Sequence, residues 1–168
     1  WGIAEVKSPA FPTFDTKKHV GKTEMVSGIP LLFWIDFNND PLACTVWQIY
    51  RDSEGHKIRG LREIKIKPKD GIHNTQLLID HIKLNYPNHL HSLCMTTDAT
   101  GSQKTAAGLS NILQLNKAFN LGRRLQTPTI NPKVKDSVEL CNYLFYHHPD
   151  ILIDPSMETL IFELQNTE

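Results

Sequence analysis

Two aspartates stand at the ends of short apolar runs. The stretch Leu31 to Asp40 reads LLFWIDFNND and delivers Asp36 after five apolar residues; Leu93 to Gly101 reads LCMTTDATG and ends in much the same way at Asp98. An aspartate that closes a strand often caps the following turn, and either acid taken singly reads that way as readily as any other. Two carboxylates brought to one place are different. Like charges at close range repel and lose hydration, so the pair is unstable until a cation joins it. Mg²⁺ or Mn²⁺ takes oxygen ligands, keeps several waters and leaves positions for phosphate oxygens. Two such ions about 3.5–4 Å apart activate a water and stabilise the leaving oxygen of an in-line phosphoryl displacement. The chemistry suggested is metal-assisted hydrolysis of a phosphodiester.

Other chemistries lack their residues. Gly101 to Ala106, GSQKTA, has a lysine-threonine pair after a glycine but not the G-x-x-x-x-G-K-[ST] spacing that wraps phosphates. No G-x-S-x-G motif supports a nucleophilic serine. His89, His91, His147 and His148 have no cysteine or second histidine pair at finger spacing and read as solvated turn histidines. Cys44, Cys94 and Cys141 lie far apart, without a C-x-x-C pair, which fits a reducing cytosol better than a disulfide framework.

The elements that must position the acids follow from pattern. Leu31 to Phe37 is a continuous apolar run bounded by Pro30 and the Asn38-Asn39-Asp40-Pro41 cluster, the signature of a buried central strand. Leu42 to Tyr50 is β-branched and aromatic, Asp52 to Gly55 reads as a turn, and Ile58 to Lys67 alternates. These three segments predict an antiparallel meander. Thereafter the period changes: a helix from Asn74 to about Leu84, a strand over His91 to Thr97, a helix near Lys104 to Leu115, and a brief strand near Arg124 to Gln126. A helix over Lys133 to Tyr146, a strand over Ile151 to Ile153 and a helix opening at Pro155 behind an Asp154 cap complete the order. Residues 1–30, rich in Pro, Lys, Gly and Ser, predict an irregular lead-in arm packed on a domain spanning 31–168.

A meander followed by βα units predicts an α/β fold of ribonuclease H-like type. Its central mixed sheet has five to six strands, three antiparallel and then parallel, with helices on both faces. In that topology the first and fourth strands adjoin, so Asp36 and Asp98 become neighbours. The bulk numbers agree with one domain. There are 168 residues, 40% hydrophobic and 21% charged, with eighteen Lys+Arg balancing eighteen Asp+Glu. Net charge therefore points to neither nucleic acid nor membrane, and no apolar run approaches a membrane span. A chain that opens on Trp1 is expected to be a piece of something longer.

Five segments in order carry a family resemblance: FDTKKHV (Phe14–Val20), IDFNNDP (Ile35–Pro41), TTDATG (Thr96–Gly101), NPKVKDSVELCN (Asn131–Asn142) and ILIDPSMETLIFEL (Ile151–Leu164). Over nearly its whole length the chain resembles the C-terminal nuclease domain of the large terminase subunit of tailed phages and prophages. The resemblance implies a metal-dependent DNA endonuclease that cuts concatemeric viral DNA at the start and end of packaging. It implies Mg²⁺ or Mn²⁺, two ions, and double-stranded DNA as substrate. It also implies an ATPase domain in the same protein, portal and small terminase subunit as partners, and a place in the cytoplasm of a bacterial host.

Carried over by motif, Asp36 is the bridging metal ligand and Asp98 the second acid, with Asn38 and Gly101 in supporting roles. Glu63 matches a glutamate of the family's third strand and also reads as an exposed strand acid. Lys104, Arg123 and Arg124, with Lys133, Lys135 and the alternating Lys65 and Lys67, read as a DNA-backbone contact or as ordinary solvated charge. The family's third acid lies beyond the final helix, past Glu168, and Asp136 and Asp154 are poor substitutes for it. The expectation is weak metal binding and weak cutting by this stretch alone. The alternatives are a non-catalytic module of the same fold gripping DNA or portal, and another ribonuclease H-like nuclease such as a junction resolvase.

Overall fold

A computed structural model describes residues 8–37, 41–67, 74–102, 109–148 and 150–168. Six strands form one mixed sheet in the order β5-β4-β1-β2-β3-β6. They are β1 (Leu32–Asp36), β2 (Leu42–Asp52), β3 (Gly55–Ile66), β4 (Cys94–Thr97), β5 (Leu125–Gln126) and β6 (Ile151–Ile153). The first three are antiparallel, while β4 runs parallel to β1, β5 to β4 and β6 to β3. This is the mixed α/β sheet of a ribonuclease H-like domain, and β1 and β4 adjoin at its centre.

Side-chain alternation gives the sheet two unlike faces. Leu31, Phe33 and Ile35 of the β1 segment, with Leu42, Cys44 and Val46 of β2, are buried in one core. Helices α2 (Asn74–Asn85) and α3 (Asn111–Phe119) close that core with Leu78, Ile79, Ile82, Leu115 and Phe119. Ser110 starts α3, its Oγ accepting from the Leu113 N–H, and Asn120 ends it in the left-handed region at φ 49°. The helix expected over 104–115 is therefore displaced toward the C-terminus, and residues 103–108 lie outside the described set.

On the opposite face a second core gathers Trp47 and Ile58 of the hairpin, β6, Phe145 of α4 (Val134–His147), and Met157 and Leu164 at α5 (Glu158–Asn166). Here backbone and side chains approach closely. A β-carbon on Gly60 would stand 3.0 Å from both Met157 Sδ and Trp47 Cζ3. This core covers the β3 and β6 side only, so Trp34 on β1 remains 60% exposed. The continuous apolar run of β1 suggested burial on both faces; the strand is buried on one.

The lead-in is more regular than its composition suggests. Phe11 and Phe14 pack into the second core, α1 (Thr16–His19) follows, and Val20 bridges Ile153 in parallel. Gln48, wholly buried, donates to the carbonyls of Val26 and Ile29 and accepts from the Val26 N–H, which fastens residues 26–29 to β2. At the other end of the chain the Ala10 N–H donates to the Thr167 carbonyl at 2.8 Å. The last helix opens at Glu158 and not at Pro155, because Asp154 has another task. Its carboxylate accepts from the main-chain N–H groups of Thr23 and Ser156, both at 3.0 Å. No helix among the described residues is long and apolar enough to cross a membrane.

Candidate metal and nucleic-acid site

Register brings the two acids to neighbouring strand ends. The parallel ladder of β1 and β4 runs from Leu32 opposite Cys94 to Ile35 opposite Thr97, and Asp36 and Asp98 are the residues that follow these last partners in the chain. Neighbouring strands lie about 4.8 Å apart, so the carboxylates arise at adjacent positions on the uncovered face. The polypeptide folds so because both apolar runs share a parity. Phe33 and Ile35 enter the first core together with Met95, while Trp34, Asp36, Thr96 and Asp98 fall on the other side.

Asp98 is held in one orientation. Its Oδ2 accepts from the Thr100 hydroxyl at 2.6 Å, and the next main-chain N–H, that of Ala99, donates to Asn131 Oδ1 at 2.7 Å. Its Oδ1 is buried with no hydrogen-bond partner among the described residues. An unsatisfied buried carboxylate oxygen is costly, and a second carboxylate one strand away adds repulsion. A hard divalent cation relieves both, since it wants oxygen donors of this kind. The residues present therefore fit such an ion. Among the described residues no group of three or more His, Cys, Asp or Glu is placed to hold a metal. An ion at the pair would complete its ligands from water, from substrate or from residues outside the described set.

The other candidate residues separate. Glu63 shares the face, on the row Trp34, Thr45, Glu63, but two strands from β1. Its Oε2 accepts from the Thr159 N–H at 3.1 Å in the first turn of α5, and Oε1 lies 3.7 Å from Lys65 Nζ. That is a helix-cap position, and the structure does not bring Glu63 to the pair. Asp136 is exposed in the first turn of α4. Arg124 donates to the carbonyls of His91, Leu93 and Asn120, so its guanidinium fastens a loop. Arg123 and Arg124 precede β5, at the end of the parallel strands away from Asp98. Pairing of Met95 with Leu125 sets that separation at roughly 16 Å along the sheet. Asn38 and Lys104 lie outside the described residues.

Gly101 is buried, and its role is steric. A β-carbon there would stand 2.6 Å from Phe37 Cε2 and 2.8 Å from Phe37 Cδ2. Phe37 directly follows Asp36, so the glycine lets the ring seat beside the acid pair. Gly101→Ala is expected to destabilise the fold by about 1–3 kcal/mol through overpacking. It should also weaken Mn²⁺ binding by moving the end of β1. Thermal melts and calorimetry check both, and a variant matching the parent in each would remove this role.

Two features of the site escaped sequence reading. A groove of about 620 Å³ opens beside Asp98, lined among others by Trp34, Thr96, Gln126, Asn131 and Pro132. Asn131 reaches it from 32 residues along the chain, a contact only tertiary structure makes; in the sequence it opens the Asn131–Asn142 segment of the family resemblance without a site role of its own. Trp34 was hidden inside the apolar run.

No protein-family model matches the sequence, and no curated protein matches it. Solved structures do. The large terminase from a thermophilic bacteriophage superposes with a TM-score of 0.62 at 14% identity, over 92% of this chain and 36% of that one. This chain thus spans about a third of that protein's length. The P22 large terminase nuclease domain matches at TM-score 0.61 and 13% identity, over 94% of this chain and 77% of that one. The g2p (large terminase) nuclease domain from the bacteriophage SPP1, with bound Mn, matches at 0.56 and 18%, over 88% and 77%. At these identities the likeness is one of fold: the chain has the fold of the nuclease domain of phage large terminases.

Proposed function

We propose that this chain is a divalent-metal-dependent endodeoxyribonuclease of the terminase kind, with Asp36 and Asp98 as its metal ligands and catalytic acids. The observation that carries the proposal is the parallel pairing of β1 with β4 up to Ile35 opposite Thr97, after which Asp36 and Asp98 follow at the same end of adjoining strands, with Asp98 Oδ1 buried and lacking a partner among the described residues. Bound Mg²⁺ or Mn²⁺, as one ion or two, supplies neutralisation of phosphate charge and a more acidic water. The chain's own residues supply placement. Asp36 and Asp98 set the position of charge at the strand ends, Thr100 fixes the rotamer of Asp98, and Asn131 fixes the main chain behind it.

The bound Mn of the SPP1 domain supports the choice of ion. In its full setting the domain would cut concatemeric DNA as packaging begins and ends. An ATPase domain of the same protein, the portal and the small terminase subunit would be its partners in a bacterial cytoplasm. Among the described residues nothing on the open face resembles a base-reading helix in a groove, so cutting is expected to show little sequence preference.

The test pairs calorimetric Mn²⁺ titration with digestion of supercoiled plasmid by the 168-residue chain. Expected are Mn²⁺ binding, weak nicking that EDTA removes, and loss of both in Asp36→Asn. Absence of Mn²⁺ binding, together with a melting temperature that Asp36→Asn leaves unchanged at millimolar Mn²⁺, would leave a non-catalytic module of this fold.

A further inference from the structure

The uncovered sheet face carries a tryptophan at its centre. Trp34 lies two residues before Asp36 on β1, about 7 Å along the strand, and it is 60% exposed. A single exposed aromatic is ordinary on a surface. This one shares a groove with Asp98, so whatever enters the groove touches both a flat apolar ring and a carboxylate of the candidate site. The other walls are polar in a particular way. Gln126 and Asn131 are exposed side-chain amides, each with donors and an acceptor. The oxygen of Asn131 accepts from the Ala99 N–H, which leaves its NH₂ as the donor it can offer.

A ring to stack on, amides along the wall and Asp98 at one end are together the complement of a nucleotide whose phosphate is held through a cation. We infer that the groove takes one unstacked nucleobase, stacked on Trp34, from the strand whose phosphate lies at Asp36 and Asp98. This inference rests on the nuclease reading above and names its substrate class. In an intact duplex both faces of each base are covered by neighbours. A base reaches Trp34 only where a strand is single, frayed or flipped out. The preferred substrate is therefore DNA with a locally unpaired strand.

The probes are a single-stranded oligodeoxythymidylate, a blunt duplex, and the same duplex with a mismatched end. Each is titrated onto the 168-residue chain with Ca²⁺ in place of Mn²⁺, so that the acids keep an oxygen-seeking cation while cleavage plays no part. Stacking on one aromatic side chain changes affinity by roughly ten- to a hundredfold per base. The single strand and the frayed duplex should bind at least about tenfold tighter than the blunt duplex and quench indole emission. Trp34→Ala should erase that margin, and Trp34→Phe should retain most of it. Circular dichroism confirms folding of both variants, which the exposure of Trp34 favours. A margin that survives Trp34→Ala, equal binding of all three probes, or binding of none overturns the inference. Mn²⁺-dependent plasmid cutting without a Trp34-dependent margin would keep the nuclease and remove the base pocket. A Trp34-dependent margin without cutting would do the reverse.

Discussion

Replacing Asp98 by asparagine should lower Mn²⁺-dependent plasmid cleavage by at least about a hundredfold, and it should do so without unfolding the chain. Asparagine keeps the size and shape of the side chain, and one of its terminal atoms can still meet the Thr100 hydroxyl. What it removes is a charge at the strand end facing Asp36. In metal-free buffer that removal relieves repulsion and a buried unpaired oxygen, so the variant should melt at or above the parent. With Mn²⁺ the order should reverse. An ion at a hundred times its dissociation constant stabilises its folded host by about 2.7 kcal/mol, and Asp98→Asn should lose nearly all of that gain. The crossing of two melting curves is the diagnostic, because a merely structural aspartate would lower stability in both buffers. Full cleavage by the variant, or an equal Mn²⁺-induced rise in its melting temperature, would remove Asp98 from the site.

The second large effect lies away from the acids. Asp154 is 4% exposed, and it joins the lead-in to the turn before α5. It accepts from the Thr23 N–H and the Ser156 N–H and lies 3.7 Å from Lys22 Nζ, while the Thr23 hydroxyl, 3.3 Å away, has the Gly60 carbonyl nearer at 3.0 Å. Asp154→Ala strands two main-chain donors, and should cost about 2–4 kcal/mol at neutral pH. Burial pushes the carboxyl upward, but the Thr23 and Ser156 donors and the Lys22 charge outweigh it, and Asp154 titrates well below the ordinary carboxylate range. A depressed folded-state value means that the contribution is whole above the unfolded value of 3.8 and decays as pH falls below it. Urea unfolding should therefore show a wide gap between parent and variant at pH 7 and a narrower one at pH 3. A gap at pH 7 within about 0.5 kcal/mol, the scale of ordinary surface changes, would contradict this account.

How far the sequence could be read depended on the range of the interaction. Elements whose signal is local were legible. The apolar run before Asp36, the Asp52–Gly55 turn and the helical stripe of Val138, Cys141 and Phe145 each placed an element within a few residues. So was the adjacency of β1 and β4, since it needs only strand order. Features decided by partners distant in the chain were not. Asp154 looked like the cap of a helix because the sequence does not say that Thr23, 131 residues away, claims the carboxylate first. Glu63 looked like an exposed acid or a ligand, and it caps α5 from 96 residues away. Arg124 looked like a phosphate contact, while its donors go to carbonyls of the His91–Leu93 turn. Apolar runs, finally, do not say which faces will be covered, and Trp34 owes its exposure to where the second core stops.

The bond between Ala10 and Thr167 has a mechanical meaning. Entry and exit of this stretch of chain are pinned at one point, beside the second core and not beside the acid pair. The link closes residues 10–167 into a loop whose ends meet across one hydrogen bond, so fraying of either end of that segment costs the other its partner while the central ladder of β1 and β4 keeps its own bonds.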